Sequence, residues 1–195
     1  MTDTPHGYTY GTDQVPRSPV TDEQWAELKA TVMFTDDDAA ALRRAGEVLE
    51  DQVSEVLDTW YGFVADHPHL AAYFGDLGGE PIQAYLDGVR PRFEQWVRDT
   101  CRCPFDRTWL DYQYEIALRH TPEKKNVTDA VDSVPVVPLR HLIGFVYPVT
   151  ATMRPFLAAG GDDPVRVEEM AQAWFKAVTL TVALWSLPYA REGRW

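Results

Sequence analysis

The segment from Asp106 to His120 carries the residues whose types and spacing are best suited to chemistry. Asp106 can cap the start of a helix, because its carboxylate accepts an orphan backbone N–H group. Pro122 ends that helix, since the residue before a proline is pushed out of the α region. Residues at helical spacing in this segment form a mainly apolar stripe whose last member is a histidine. The stripe consists of Trp109, Tyr112, Gln113, Ile116 and His120.

His120 is therefore predicted to lie on the buried face of this helix, in its last turn. There the carbonyl of Ile116, one turn earlier, can accept the Nδ1 proton of the imidazole, which leaves Nε2 as a neutral, oriented lone pair. Iron and zinc bind to such a nitrogen. A second interpretation is a core histidine that only helps to close the helix, and the helix by itself favours this second interpretation.

Other catalytic or metal-binding patterns are missing from the sequence. It has no glycine loop for phosphate, no Gly-x-Ser-x-Gly elbow and no His-Glu-x-x-His motif. His67 and His69 are two residues apart and so do not share a helical face, and His141 is expected to be satisfied locally. His120 is thus the one histidine that the pattern buries alone among aromatic residues. A single axial histidine in an apolar, all-helical pocket is the haem arrangement.

The composition predicts one domain with a large apolar interior and excludes several kinds of partner. The chain has 195 residues, of which 45% are hydrophobic, and its seven Trp, nine Tyr and eight Phe can line a pocket as well as a core. A net charge of −12 makes nucleic acid and anionic membranes poor partners. The N-terminus lacks the features of a signal peptide and no membrane span is expected, so the sequence predicts a cytoplasmic protein with Cys101 and Cys103 as free thiols.

The elements that must position His120 are all predicted to be helical, about eight in number. Residues 1–20 form an irregular arm, and residues 121–137 form a long polar connection that is expected to be functional or mobile. Pro91 is expected to kink its helix. The predicted helical segments are a short one after Thr21, a run from Thr35 to Asp66 that holds two helices, a short turn at residues 70–74, and longer helices at residues 82–97, 106–120, 138–156 and 163–187.

Two surfaces are expected to have special roles. The helices at residues 138–156 and 163–187 carry more apolar residues around their circumference than one core needs, and this surplus predicts a homodimer through them. The first of the two is expected to be buried on more than one side. Tyr8 and Tyr10 are large aromatic side chains that the arm can bury against the rest of the protein. They favour an ordered arm that covers the pocket, rather than a disordered tail.

The sequence resembles the protoglobins, single-domain relatives of the globin-coupled sensors. Nearly the whole chain shares in the resemblance, and the most specific part is Trp-Leu-Asp-Tyr-Gln-Tyr-Glu followed by Arg-His. The matching segments are Gly7–Gly11, Asp58–Val64, His67–His69, Trp109–Glu115, Leu118–His120, Lys124–Asn126, Tyr147–Met153 and Gln172–Lys176.

This resemblance implies an all-α globin fold, a 3-over-3 helical sandwich with an extra N-terminal helix and arm, around haem b. It implies that His120 is the proximal iron ligand, that the protein binds O2, CO and NO, and that the last two helices form a dimer. Thr121-Pro122 departs from the family, which commonly has a second histidine there. The resemblance places further haem contacts at Trp60, Tyr61, Val89, Phe93 and Phe145. Phe74, Arg92, Leu142 and Val149 complete the predicted set of haem contacts, with Arg92 a candidate partner for a haem propionate.

Two classes of function follow from this resemblance. The first is reversible gas binding for storage or sensing, with Tyr61 donating a hydrogen bond to bound O2. The second is a haem enzyme that consumes NO or peroxide, or that transfers carbenes at the open iron site. Peroxidase chemistry needs a polar acid–base group above the iron, and Val89 and Phe93 offer none, which favours gas binding. For Tyr61 itself, the alternative is a core aromatic whose hydroxyl bonds a backbone carbonyl.

Overall fold

The computed structural model describes residues 4–191, 193 and 195, so the first three residues of the predicted arm lie outside the described part. The described residues form nine α-helices and two 3₁₀ turns, with no strand beyond two isolated bridges. None of these helices is both long and apolar enough to cross a membrane. The helices are α1 Asp22–Thr31, α2 Asp36–Leu49, α3 Val53–Ala65, α4 Pro68–Ala71, α5 Gln83–Arg102, α6 Arg107–Leu118, α7 Leu139–Ala151, α8 Arg154–Ala158 and α9 Pro164–Trp185, and the 3₁₀ turns are Ala72–Phe74 and Leu187–Tyr189.

Local hydrogen bonds set most of the helix starts that the sequence predicts. Thr21 and Thr35 each form a reciprocal capping box, with Gln24 and Asp38 respectively. Asp106 accepts a hydrogen bond from the backbone N–H of Trp109 at 2.8 Å and so begins α6. These caps satisfy backbone donors that have no partner inside the helix.

The predicted helix at residues 138–156 is wrong in one respect, because the structure divides it into α7 and α8. Pro155 has no N–H group for the carbonyl of Ala151, and its ring crowds that carbonyl, so the helix breaks between them. Within a single chain, the expectation that α7 is buried on more than one side is also wrong. Ile143 and Tyr147 are 57% and 76% exposed, since only one face of α7 meets the core.

Pro91 does not interrupt α5, which runs on through it to Arg102. Nor does α6 reach His120, because the helix ends at Leu118 with Arg119 as its C-cap. The histidine lies in the turn that follows. It keeps its place because its backbone carbonyl accepts hydrogen bonds from the Val137 N–H at 2.9 Å and the Tyr189 hydroxyl at 3.0 Å.

Helix α9 lies at the centre of the packing and contacts α2, α6, α7 and α8. Its fully buried Met170 and Trp174 belong to the main core, in which α2 and α3 also take part. A smaller core joins α1 to α6, where Trp25 packs on Trp109 with ring centroids 5.6 Å apart. Together these cores hold α3, α5, α6 and α7 around a cavity.

Candidate functional site

An apolar cavity opens between α3, α5, α6 and α7. It holds about 240 Å³ that the centre of a water molecule can reach, far more than the roughly 10–15 Å³ that one water needs. It is therefore a site built for a ligand rather than a packing defect. The lining comprises Trp60, Tyr61, Val64, Leu70, Tyr73, Phe74, Tyr85, Val89, Arg92, Phe93, Trp96, Tyr112, Ile116, Arg119, His120, Lys125, Thr128, Asp129, Val137, His141, Leu142, Phe145 and Trp185.

Nine of the ten residues that the sequence assigns to the pocket line this cavity, and Val149 does not. Val149 is buried in the main core, and its carbonyl accepts the indole N–H of Trp174 at 3.2 Å. It shares a face of α7 with Leu142 but lies two helical turns, about 10 Å, farther along, where the main core fills the space. The assignment of Val149 to the pocket is therefore wrong.

His120 presents its imidazole to the cavity in the orientation that the sequence predicts. Its Nδ1 lies 2.9 Å from the carbonyl oxygen of Ile116, and its ring packs against Trp185 at 4.9 Å between centroids. Nδ1 donates its proton to that carbonyl, so Nε2 carries the lone pair. Burial lowers the pKa of His120 to about 4, and the imidazole is therefore neutral and able to bind a metal at physiological pH.

Across the cavity, Trp60 and Tyr61 have different surroundings although they are adjacent in α3. Trp60 is almost fully buried, packs on Phe93 and donates its indole N–H to the Thr152 hydroxyl at 2.9 Å. The Tyr61 hydroxyl is buried and has no hydrogen-bond partner among the described residues. This finding argues against the alternative in which it bonds a backbone carbonyl. A buried donor without a partner is costly, so the site suits a ligand that accepts from it.

The sequence reasoning missed Lys125, the cation that the connection after α6 places at the cavity wall. Its ammonium group donates to the Tyr73 carbonyl at 2.8 Å and lies 4.7 Å from the centre of the Tyr85 ring. Only 3% of the residue is exposed, and burial lowers the pKa of its amine to about 8. The signal in the sequence was a lysine pair in a long connection, which says nothing of burial.

Arg92 lines the cavity but is already paired. Its guanidinium makes a two-point contact with the Asp129 carboxylate, at 2.9 and 2.6 Å. Gly88 makes room for that carboxylate, because a Cβ there would lie 2.6 Å from Asp129 Oδ1. Arg92 is thus held by the protein itself, and the expectation that it meets a haem propionate would require this pair to open.

The N-terminal arm packs against the residues behind the cavity wall. The carbonyls of His6 and Gly7 accept hydrogen bonds from Arg92 and Arg119, at 2.9 and 2.8 Å. At Gly7 a Cβ would come within 2.5 Å of Thr128, and the residue has a positive φ of 73°. The described part of the arm is therefore fitted closely to three residues that line the cavity.

A further group of histidines lies at the other end of the cavity. The ring of His69 is 5.8 Å from that of His67 and 5.5 Å from that of His141, which itself lines the cavity. Within residues 4–191, 193 and 195, no three or more His, Cys, Asp or Glu side chains are arranged to hold a metal ion. Any iron in this cavity would thus depend on a cofactor for most of its ligands.

Comparison with known proteins identifies the family. A family model described as protoglobin matches residues 21–195. The chain belongs to the protoglobin family. Among solved structures, this protoglobin is similar to the globin domain of a globin-coupled sensor from Geobacter sulfurreducens, with a TM-score of 0.65. The two are 17% identical, and the match covers 85% of this chain and 97% of the other.

At that identity the likeness concerns the fold alone, and the predicted globin fold is confirmed. No curated protein matches the sequence. The family membership supports a globin-type role in gas binding or sensing. The cavity fits haem, because it combines apolar walls, one neutral histidine, an unpartnered phenol and a buried ammonium group that can meet a carboxylate.

Proposed function

We propose that this protoglobin binds haem b in the cavity, with His120 as the only protein ligand to the iron, and that O2, CO and NO bind reversibly on the opposite face. The observation that carries the proposal is the contact of His120 Nδ1 with the Ile116 carbonyl, which aims Nε2 into the cavity. Haem supplies the iron centre at which diatomic gases bind. A hydrogen bond of this kind is the usual support of a histidine that ligates a metal.

The other walls of the cavity favour reversible binding over an enzymatic reaction. Val89 and Phe93 line the cavity from α5, and neither can give or take a proton. If O2 binds in the cavity, Tyr61 would be placed to donate a hydrogen bond to it and to stabilise the partial negative charge that bound O2 would carry. Burial raises the pKa of the Tyr61 hydroxyl well above its usual value, so it stays protonated and remains a donor.

The same protein is proposed to form a homodimer through α7 and α9. These helices contact each other and carry the exposed apolar residues Ile143, Tyr147, Val165 and Phe175 on their outer surfaces. Large apolar side chains left in water on neighbouring helices usually mark an interface. The sequence pattern likewise predicts more apolar residues around these two helices than one core needs.

The optical spectrum of protein reconstituted with haem tests the proposed ligand. The wild type should show a five-coordinate ferrous spectrum that changes on addition of CO. His120→Ala should lose this spectrum, because no other side chain replaces the imidazole, and added imidazole should restore it. His141→Ala is the matched control, since His141 also lines the cavity, and its spectrum should stay that of the wild type. An unchanged ferrous–CO spectrum in His120→Ala would refute the proposal.

A further inference from the structure

Three tyrosines from distant parts of the chain form one cluster at the edge of the cavity. Tyr112 lines the cavity from α6, and the rings of Tyr8 and Tyr10 both meet its ring edge-on, each at 5.3 Å between centroids. Tyr8 and Tyr10 are stacked on each other at 6.2 Å. The cluster thus connects the pocket to the partly exposed arm through rings in contact.

One member of the cluster is paired with a base. The Tyr8 hydroxyl donates to Oδ2 of Asp99 at 2.7 Å, and the carboxylate is only 5% exposed. Gln95 donates to the other carboxylate oxygen at 2.8 Å, and Arg102 lies 3.2 Å from that same atom. Burial raises the pKa of Asp99, which makes its carboxylate a better proton acceptor than a carboxylate in water.

A phenol loses an electron easily only if its proton can leave at the same time. A carboxylate that accepts a hydrogen bond from the phenol makes this possible, because the proton has only to move along the existing hydrogen bond. Tyr8 and Asp99 are 91 residues apart in sequence, so only the packing of the arm brings this phenol to this carboxylate. The hydrogen bond satisfies the buried carboxylate and also places a proton acceptor on the phenolic oxygen.

We propose that the tyrosine cluster carries oxidising equivalents from the pocket to the surface when a hydroperoxide reacts in the pocket. Tyr8 is the residue that is oxidised, and Asp99 accepts its proton. The proposal rests on the proposed haem function. It adds a redox route to the surface, which reversible gas binding does not require. Because Val89 and Phe93 offer no acid–base group to speed cleavage of a hydroperoxide, that reaction is a slow side reaction of the pocket, and the route removes its oxidising equivalents.

The hydroperoxide ROOH takes up two electrons from the cluster and two protons from solvent, and it leaves as an alcohol ROH and water. Each electron comes from Tyr8 and reaches the pocket across the Tyr112 ring. As Tyr8 loses the electron, its O–H bond breaks and a new O–H bond forms on the Asp99 carboxylate. A surface one-electron donor of the phenol or ascorbate class then returns an electron by way of Tyr10, Asp99 returns its proton to Tyr8, and the donor releases a proton to solvent. Two donor molecules are consumed for each ROOH.

The tryptophans of the pocket offer no equivalent route. Trp185 lies beside His120, but its indole N–H is bonded to the amide oxygen of Gln113 at 3.0 Å, which is not a base. From Trp185 the ring contacts lead through Trp96 to Trp174, which is fully buried in the core. Only the tyrosine cluster combines a path outward with a proton acceptor among the described residues.

Freeze-quench electron paramagnetic resonance of the haem-loaded ferric protein after addition of hydrogen peroxide tests the proposal. The wild type should show a tyrosyl radical, and a nitroso spin trap should label Tyr8 or Tyr10 in peptide mass spectra. Tyr8→Phe keeps the ring but removes the phenol, and it should lose this radical. Asp99→Asn keeps the shape but removes the base, and it should lose it as well. Tyr10→Phe should keep the radical and lengthen its lifetime in the presence of ascorbate.

Tyr114→Phe is the matched control, because Tyr114 is a partly exposed tyrosine of α6 that neither lines the cavity nor belongs to such a cluster, and its radical should equal that of the wild type. The Soret band of each variant is recorded first. A wild type without a Soret band after haem addition would refute the proposed haem function. Intact Soret bands with an undiminished radical in Tyr8→Phe and Asp99→Asn would refute the relay alone.

Discussion

The ammonium group of Lys125 lies 2.8 Å from the carbonyl oxygen of Tyr73, in a wall of the cavity where it has no ion pair among the described residues. The cations around it are all paired. Arg92 is held by Asp129, and Arg119 and Lys124 share the carboxylate of Glu115. Lys125 is thus the cation at this wall that a ligand's carboxylate can neutralise. A buried charge without a counter-ion is costly, and a haem propionate would remove that cost.

We therefore expect Lys125→Met to weaken haem binding. A hydrogen bond to a charged group contributes about 1.5–3 kcal/mol, which corresponds to roughly ten- to 150-fold in the haem dissociation constant. The constant can be measured by transfer of haem to a scavenger globin. Lys124→Met is the matched control, because Lys124 is already paired with Glu115 and does not line the cavity. Equal losses in the two variants would contradict the role assigned to Lys125.

The same lysine gives haem binding a pH dependence. In the apoprotein burial lowers the pKa of Lys125 from 10.5 to about 8, so above pH 8 the amine is mostly neutral and must take up a proton when a carboxylate binds. Haem affinity should therefore fall as the pH rises through 8. The free energy of unfolding of the apoprotein should rise between pH 8 and 10.5. In that range the unfolded chain, in which the lysine has its ordinary pKa of 10.5, binds more protons than the folded chain. Titration calorimetry between pH 7 and 10 should show proton uptake in the wild type and none in Lys125→Met.

Tyr61→Phe should accelerate O2 release strongly and CO release hardly at all. Bound O2 is partly negative, and a donor in a dry pocket stabilises it by roughly 1–3 kcal/mol, or about five- to hundredfold in the dissociation rate. Stopped-flow measurements of both gases provide the test. Tyr85→Phe is a suitable control, because Tyr85 also lines the cavity but its hydroxyl lies 3.5 Å from the Lys125 carbonyl. If both gases respond equally to Tyr61→Phe, the residue acts by packing.

Removal of the arm should speed haem loss and CO entry, because Gly7 and its neighbours cover Arg92, Arg119 and Thr128 at the cavity wall. Deletion of residues 1–20 would also remove Val20, which is buried in the smaller core, and would lower stability for that reason alone. Deletion of residues 1–11 reduces this loss, since it leaves Val20 in place and removes only Tyr10 from the edge of the same core. Flash photolysis and haem transfer give the rates, and rates equal to those of the full chain would exclude a covering role.

The proposed dimer can be tested by placing charges on its surface. Ile143→Lys combined with Tyr147→Lys should convert the protein to a single species of 22.2 kDa in sedimentation velocity at micromolar concentration. Met33→Lys combined with Leu77→Lys is the control, because both residues are 73% exposed but lie outside α7 and α9. A wild type that already sediments as one 22.2 kDa species would refute the dimer.

Contacts between residues close in sequence were predictable from the sequence alone. The caps at Thr21, Thr35 and Asp106 join residues three apart, and the bond from His120 to Ile116 joins residues four apart. Helix geometry fixes such distances whatever the rest of the chain does. For the same reason the aromatic stripe of α6 was visible as a repeat, and the fold followed from the resemblance that this segment carries.

The tertiary structure alone decided the partners of the charged and phenolic groups. Arg92 meets Asp129, which is 37 residues away, and Tyr8 meets Asp99, which is 91 residues away. Lys125 is buried only because the connection after α6 folds against Tyr73, and Val149 lies outside the pocket because the main core fills the space around that end of α7. Periodicity shows which residues share a face of a helix, but not which face of another element will meet it. That choice depends on how the whole core packs, and it determines which charges are neutralised and which remain for a ligand.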